Sequence, residues 1–438
     1  MDAIQTKVEA LKDTLIATRQ FFHKHPETGW FTYFTSAKIA TELQAYGYAL
    51  QMGREIVEPS ARQGLGSKAA MESAIERAKG LLDPSEHHFI ELMEDGLTGV
   101  VATIDTKRKG PCVAFRFDID GVDVSESKEL THRPFKEGFR ADIEGISHMC
   151  GHDGHITIGL ALAKLISENI GDFKGSFKFI FQTAEEGTRG AVGMEPTGIL
   201  KGIDYLLGGH IGFQAKTDGG IICGVNNFLA TSKFDVSFSG KSAHAAGAPE
   251  EGANALLAAA EAAIQMHAIT RHSEGVTRIN VGVLRAGEGR NVIAPNAYMA
   301  CETRGVTTKL NDFMKQKCMD IVEGVAKIHS VQYQIVETGG TFGGDSSPFV
   351  TELFEKAALQ SPYVNKDLIV KEYDFGACED FAHLMQSVQK AGGQSGYLMI
   401  GTHLDAGHHN CAFDFNEACL ATGVDIFLRA AYELSSRD

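Results

Sequence analysis

Apolar and polar positions come in alternating blocks along the 438-residue chain. Four blocks are short apolar runs: "VAFRFDID" at 113–120, "SFKFIFQTAEE" at 176–186, "DYLLGGHI" at 204–211 and "YLMIGTH" at 397–403. Runs of that kind predict strands, and strands alternating with helical patterns predict an α/β fold. Each run ends at or near charged, histidine or glycine residues. Ligands of open α/β sheets gather beyond the carboxyl ends of the strands, so these ends are expected to share one constellation.

Between about 228 and 337 the rhythm changes. "TSKFDVSFSG" alternates like a half-exposed strand, and an alanine-rich helix follows at 254–269. Two strands, the helix "NDFMKQKCMDIVEGVAKIH" and the strand "VQYQIVET" complete the order β-α-β-β-α-β. That order predicts a ferredoxin-like α+β domain, inserted into a larger α/β domain made of 1–227 and 338–438. The stretch 54–95 is polar and helix-prone, and is expected to be a helical insertion with a charged, solvent-facing surface. The opening "MDAIQTKVEALKDTL" has the spacing of an amphipathic helix and not the apolar core of a signal peptide.

Composition narrows the function classes. Hydrophobic residues make up 43% and charged residues 22%, as in soluble globular proteins, and no apolar run nears the ~20 residues of a membrane helix. A cytoplasmic location is the default expectation. A net charge of −15 argues against nucleic acid or anionic membranes as partners, and requires a local basic pocket for any anionic substrate. The eight cysteines are scattered and do not form a disulfide framework.

The densest chemistry lies in "HMCGHDGH", His148–His155. Cys150 and His152 are thiolate and imidazole donors at the start of an apolar helix, where a cysteine serves equally as nucleophile, metal ligand or packing group. In "QTAEEGTRGA", Glu185 and Glu186 precede a glycine, and a bend there lets one carboxylate bind metal while the other deprotonates water. His210 ends an apolar run, and His408 and His409 lie in the polar loop "GTHLDAGHHNCAFDFNE". Together these residues suit a two-metal hydrolase. A cysteine hydrolase using Cys150 with His148 or His155 would leave Glu186, His210 and His409 without shared work. A third reading is a non-catalytic protein that serves a related partner.

The motifs "RQFFHKHPETG", "FRFDIDG", "HMCGHDGH", "FQTAEEGTRGA", "GGHIG", "SGKSAHAAGAPEEGANAL", "GRNVIAPNA" and "GTHLDAGHHN" run in order over nearly the whole chain. In this set the chain resembles the dinuclear metallo-amidohydrolases that include carboxypeptidase G, hippurate hydrolase and the auxin conjugate hydrolases. Its 54–95 insertion and "ATSKFD" are most similar to the aminobenzoyl-glutamate-cleaving branch.

The resemblance implies two divalent ions, zinc or manganese, held by Cys150, His152, Glu186, His210 and His409. It implies Glu185 as the general base, and His244 as a histidine that reaches a partner's active site and donates to the scissile carbonyl there. Arg290, Asn291 and Arg304 match residues that hold the substrate's terminal carboxylate. Asp118, Asp120 and Asp153 are expected behind the ligands. The implied substrate is p-aminobenzoyl-glutamate or a related N-acyl amino acid. The implied partner is a second copy or a homologous subunit, joined through the inserted lid and dimerisation domain. Three positions depart from the family pattern: Thr32 where relatives often carry Glu, Thr183 in place of Pro, and Cys378 in place of Ser.

Overall fold

A computed structural model describes residues 2–437. Among these residues twelve strands form. The first six are β1 (Ala49–Gln51), β2 (Val100–Asp105), β3 (Cys112–Asp118), β4 (Ser176–Gln182), β5 (Tyr205–Ile211) and β6 (Ile221–Asn226). The others are β7 (Ala230–Ser239), β8 (Thr277–Ala286), β9 (Asn296–Gly305), β10 (Gln332–Thr341), β11 (Ile369–Asp374) and β12 (Gln394–Ile400). Two compact units result: Met1–Asn226 with Asp345–Phe375 and Asp380–Asp438, and Asn227–Gly344 with Gly376–Glu379.

The larger unit is built on a mixed sheet of order β1-β2-β4-β3-β5-β12-β6-β11. Its centre, β4-β3-β5-β12, is parallel. β3 and β4 carry phenylalanine at every second position, and the parallel register sets Phe115 beside Phe179 and Phe117 beside Phe181. Their ring centroids are 5.3 and 5.7 Å apart. Burial of each ring contributes ~1.5–3 kcal/mol. The helix His152–Glu168 lies directly on this stripe. A Cβ at Gly159 would come within 2.6 Å of Phe117 and 2.7 Å of Phe181, so glycine there permits the close approach. After β3 the chain builds β4 on one side of it and β5 on the other. The end of β3 is therefore the topological switch point, where such sheets open a crevice.

All four predicted strands are present, with one shifted. The run at 397–403 forms β12 over Gln394–Ile400, and His403 lies outside it. The chain leaves the sheet at Gly401, which passes so close to Gly220 that a Cβ would be 2.4 Å from its carbonyl oxygen. The 54–95 segment contains the helices Lys68–Leu81 and His87–Leu92, but a charged solvent-facing surface describes only its outside. Ile56, Val57, Leu82, Phe89, Ile90 and Met93 are buried in it, and Glu86 binds Lys38 and Thr41 on the helix Tyr33–Ala45. At the N-terminus two helices, Ala3–Glu9 and Lys12–Lys24, bury Val8, Leu11, Leu15 and Phe22. No described helix is long and apolar enough to cross a membrane.

The second unit is an antiparallel sheet of order β10-β7-β9-β8, with the helices Ala255–His267 and Thr308–Ile328 packed on it. The order along the chain is β-α-β-β-α-β, the ferredoxin-like pattern. A boundary at 337 falls inside β10: a bulge between Glu337 and Gly339 keeps the strand paired through Thr341. The eight cysteines are all unpaired.

Candidate active site

Gly151, at φ 90°, turns the chain into the helix His152–Glu168. This left-handed step, which glycine adopts readily, brings Cys150 and His152 to one place at the end of β3. His152 donates its Nδ1–H to the Asp120 carbonyl at 2.7 Å. Its Nε2 is thereby the bare nitrogen, and it is buried without a hydrogen-bond partner. His210 is oriented the same way: Nδ1–H is donated to the Ile211 carbonyl at 2.7 Å, and Nε2 lies 3.6 Å from the Cys150 sulfur.

Beyond β4 the chain makes a tight bend, with Ala184, Gly187 and Thr188 at positive φ. The buried Asp120 carboxylate accepts from the Glu185 and Glu186 amides at 2.9 and 3.1 Å. Glu186 Oε1 then sits 3.1 Å from His409 Nε2, and Glu185 Oε2 sits 3.9 Å from His152 Nε2. His409, at φ 63°, is tied to this loop cluster through its amide, which donates to the Met149 carbonyl at 2.7 Å.

The five expected ligands fall into two groups of three with donor atoms within 4.8 Å of one another: Cys150, His152 and His210, and Cys150, Glu186 and His409. Cys150 belongs to both. Burial, followed by the charges of Glu186 and Glu185, pushes its thiol well above the usual range. Burial also holds His210 far below the usual imidazole range, so it is neutral. Neutral imidazoles with bare nitrogens, a thiol among carboxylates and the orphaned His152 Nε2 all fit a site for cations. Among protein donors, thiolate and imidazole with one carboxylate suit zinc and its neighbours in the transition series.

A hydrogen-bonded layer lies behind these groups. His155 accepts the Ile211 N–H at Nε2 (2.9 Å), so its Nδ1 carries the proton donated to Asp118. Both ring nitrogens are thus engaged, which leaves none for a metal. Asp118 is held by Arg116 at 2.6 Å. The same guanidinium reaches Asp380 at 2.7 Å and Gln182 at 3.0 Å. Asp153 does not orient a ligand histidine. It accepts from Arg19 and His23, both at 2.8 Å, and His23 continues to Glu126 at 2.9 Å. His148 is buried and its nitrogens have no partner among the described residues. Sequence reasoning gave no role to Arg116, Asp380, Arg19 or Glu126. The visible signal was a charged residue inside an apolar strand, Arg116 in "VAFRFDID".

His244, Arg290, Asn291 and Arg304 lie in the second unit. His244 Nδ1 accepts from the Ala246 and Gly247 amides at 3.2 and 2.9 Å, so the proton sits on Nε2, an available donor on an exposed ring. The next residue's amide binds the Asn291 carbonyl at 3.0 Å, which joins this loop to that of Arg290 and Asn291. Arg304 is elsewhere, on β9 opposite Thr231 and Arg278, where it pairs with Glu302 at 3.0 Å.

Residues 114–433 match the profile of peptidase family M20/M25/M40. The chain belongs to this family. It is a hydrolase of amide bonds, as the M20 family and its full-length relatives are. One relative, a p-aminobenzoyl-glutamate hydrolase subunit from Escherichia coli (strain K12), is 41% identical over 98% of both chains. Another, indole-3-acetyl-aspartic acid hydrolase of Enterobacter agglomerans, is 39% identical over 97% of both. A solved structure, the aminobenzoyl-glutamate utilization protein from Klebsiella pneumoniae, superposes with a TM-score of 0.84. It is 35% identical and covers 99% of this chain and 100% of its own. In this M20 chain Thr32, Thr183 and Cys378 fall in structured places. Thr32 and Thr183 hydrogen-bond each other at 3.0 Å, with Thr98 completing the cluster. Cys378 is half-buried in the second unit.

Proposed function

We propose that the chain is a dinuclear metal amidohydrolase that cleaves an aromatic N-acyl amino acid, p-aminobenzoyl-glutamate or a close analogue, into an aryl acid and a free amino acid. The carrying observation is the pair of ligand triads that share Cys150. Cys150, His152 and His210 would hold one ion, and Cys150, Glu186 and His409 the other. When bound, two such ions polarise a carbonyl and make water nucleophilic at neutral pH.

Glu185 is the general base. It lies beside the triads, is not needed by either, and its backbone is pinned by Asp120. It takes a proton from the attacking water and returns it to the departing amine nitrogen as the C–N bond breaks. His244, with its proton on Nε2, reaches the active site of a partner subunit and donates a hydrogen bond to the carbonyl oxygen there as that oxygen gains charge. Arg290 and Asn291, in the loop joined to that of His244, bind the substrate's terminal carboxylate. Arg304 is a second candidate for that task.

Support for the substrate class comes from the two relatives above. Their names specify p-aminobenzoyl-glutamate and indole-3-acetyl-aspartate, each an aromatic acyl group joined to an acidic amino acid. The chain works in the cytoplasm, as part of a dimer with a second copy or a homologous subunit. The second unit offers the surface for that contact: β8 is an open edge of ten residues, with Leu284 and, on the helix Ala255–His267, Leu257 and Ile264 exposed. Metal identity, zinc or manganese, follows from metal analysis of the active protein. The deciding experiment is Glu185→Ala assayed on N-acyl glutamates: turnover lost with metal content intact is expected, and full activity refutes the assignment.

A further inference from the structure

The 54–95 insertion closes a cavity of about 440 Å³ in the larger unit. Phe31, Ile143 and Ile146, with Ala70 and Ala74 of the inserted helix Lys68–Leu81, supply its apolar lining, and Trp30, 1% exposed, is buried at its edge. Through Arg189 the cavity adjoins the bend that carries Glu185 and Glu186. Arg189, another lining residue, donates its Nε–H to the Glu186 carbonyl at 2.9 Å. Beside Arg189, Thr28 bridges Gly121, the residue after Asp120.

The charges around the cavity balance by number: Arg77 is paired with Asp142, and Asp123, also in the lining, offsets Arg189. Arg189 also binds the Gly64 carbonyl at 2.9 Å, and Arg77 binds the Pro26 carbonyl and Asp142 at 3.1 and 2.6 Å. Glu27 and Asp123 line the same space. No surplus positive charge is left for the carboxylates of an acidic amino acid. Flat apolar walls instead suit a neutral ring, which gains from burial and from aromatic contact.

We infer that this cavity binds the aromatic acyl group of the substrate, so that the 54–95 insertion is a specificity element for aryl over small alkyl acyl groups. The inference rests on the amide-hydrolase reading above and names the subsite that reading lacks.

Trp30 is the chain's one tryptophan, which gives a readout independent of turnover. Metal-loaded Glu185→Gln protein is titrated with N-benzoylglutamate and with N-acetylglutamate while indole emission is followed. Saturable change with the benzoyl compound alone is expected. In the active enzyme, Ala70→Phe should raise KM for N-benzoylglutamate about tenfold and leave that for N-acetylglutamate within about twofold. Ile146→Ala, which enlarges the cavity, should shift preference toward an indole-acetyl substrate and guards against a folding defect in the first variant. Equal loss on both substrates, or silence of Trp30 toward the benzoyl compound, overturns the inference while leaving the amide-hydrolase reading intact. A selective Trp30 response in a metal-loaded chain that cleaves no N-acyl amino acid does the reverse.

Discussion

Replacing Arg116 by Met tests the layer that supports the metal site. The side chain is 1% exposed and hydrogen-bonds Asp118, Asp380 and Gln182. Methionine fills similar space but leaves two buried carboxylates without their shared cation. Breaking a buried ion pair by removing one partner costs about 3–5 kcal/mol. Asp380 keeps the Gln182 amide and the Ala191 N–H, and Asp118 keeps His155, so the lower end of that range is expected. At roughly 1 °C per kcal/mol for a chain of this size, Tm falls by about 3 °C.

Two controls make the cause specific. Arg116→Lys keeps a charge but cannot bridge two carboxylates in a fixed plane, and should fall between wild type and Met. Adding Asp380→Asn to Arg116→Met removes one stranded charge, so the double variant should be more stable than Arg116→Met alone. The effect must also reach the site, because Asp118 fixes His155, which in turn holds the Ile211 amide next to His210. Metal affinity, measured by competition with a chelator, should therefore weaken. An Arg116→Met protein within about 1 kcal/mol of wild type in urea, with unchanged metal affinity, would refute the reasoning.

Three further outcomes are expected. Since both triads share Cys150, Cys150→Ser should weaken both ions together, while His210→Ala and His409→Ala should each lower metal content from two toward one per chain; elemental analysis decides. Burial pushes His383, away from the triads, down to about 4. The unfolded chain then takes up a proton below its ordinary 6.5 that the folded chain refuses until about 4, so this group's contribution, full above pH 6.5, is lost on acidification. His383→Leu should reduce the acid slope of stability by about 1.4 kcal/mol per pH unit between pH 6 and 4.5, read from urea midpoints of the chelated protein. Thr32→Glu places an unpaired carboxylate at a fully buried position among three hydroxyls, and should lower Tm in thermal melts.

The strand ends and the ligand set were legible because each depends on one local signal: an apolar run, then a metal-binding side chain. Periodicity placed β3, β4 and β5 and the β-α-β-β-α-β unit, since burial of one face is a property of a single segment. What binds these segments together was not legible. Arg116 meets Asp380 across 264 positions and Arg19 meets Asp153 across 134, and no spacing rule spans such distances. His155 illustrates the limit within one motif. By spacing it is as good a ligand candidate as His152, and only the Ile211 amide on its Nε2 removes it. The insertion at 54–95 misled for a related reason. Its polar residues outnumber its apolar ones, yet Ala78, Leu82, Phe89, Ile90 and Met93 turn inward and are buried.

Thr32 and Thr183 show the same limit from the other side. Along the sequence they are two unconnected threonines, 151 positions apart. In the fold they are one feature. Thr183 also donates to the Gly29 carbonyl at 2.6 Å, and Thr98 donates to the Trp30 carbonyl at 3.2 Å. The cluster therefore joins the start of the Glu185–Glu186 bend to the backbone that carries Trp30. A glutamate at position 32 would need a cation or donors that three hydroxyls do not supply, and a proline at 183 would remove the hydroxyl that bonds both Thr32 and Gly29. Thr32 and Thr183 therefore act as one hydrogen-bonded cluster at the junction of the Glu185–Glu186 bend and the proposed acyl cavity.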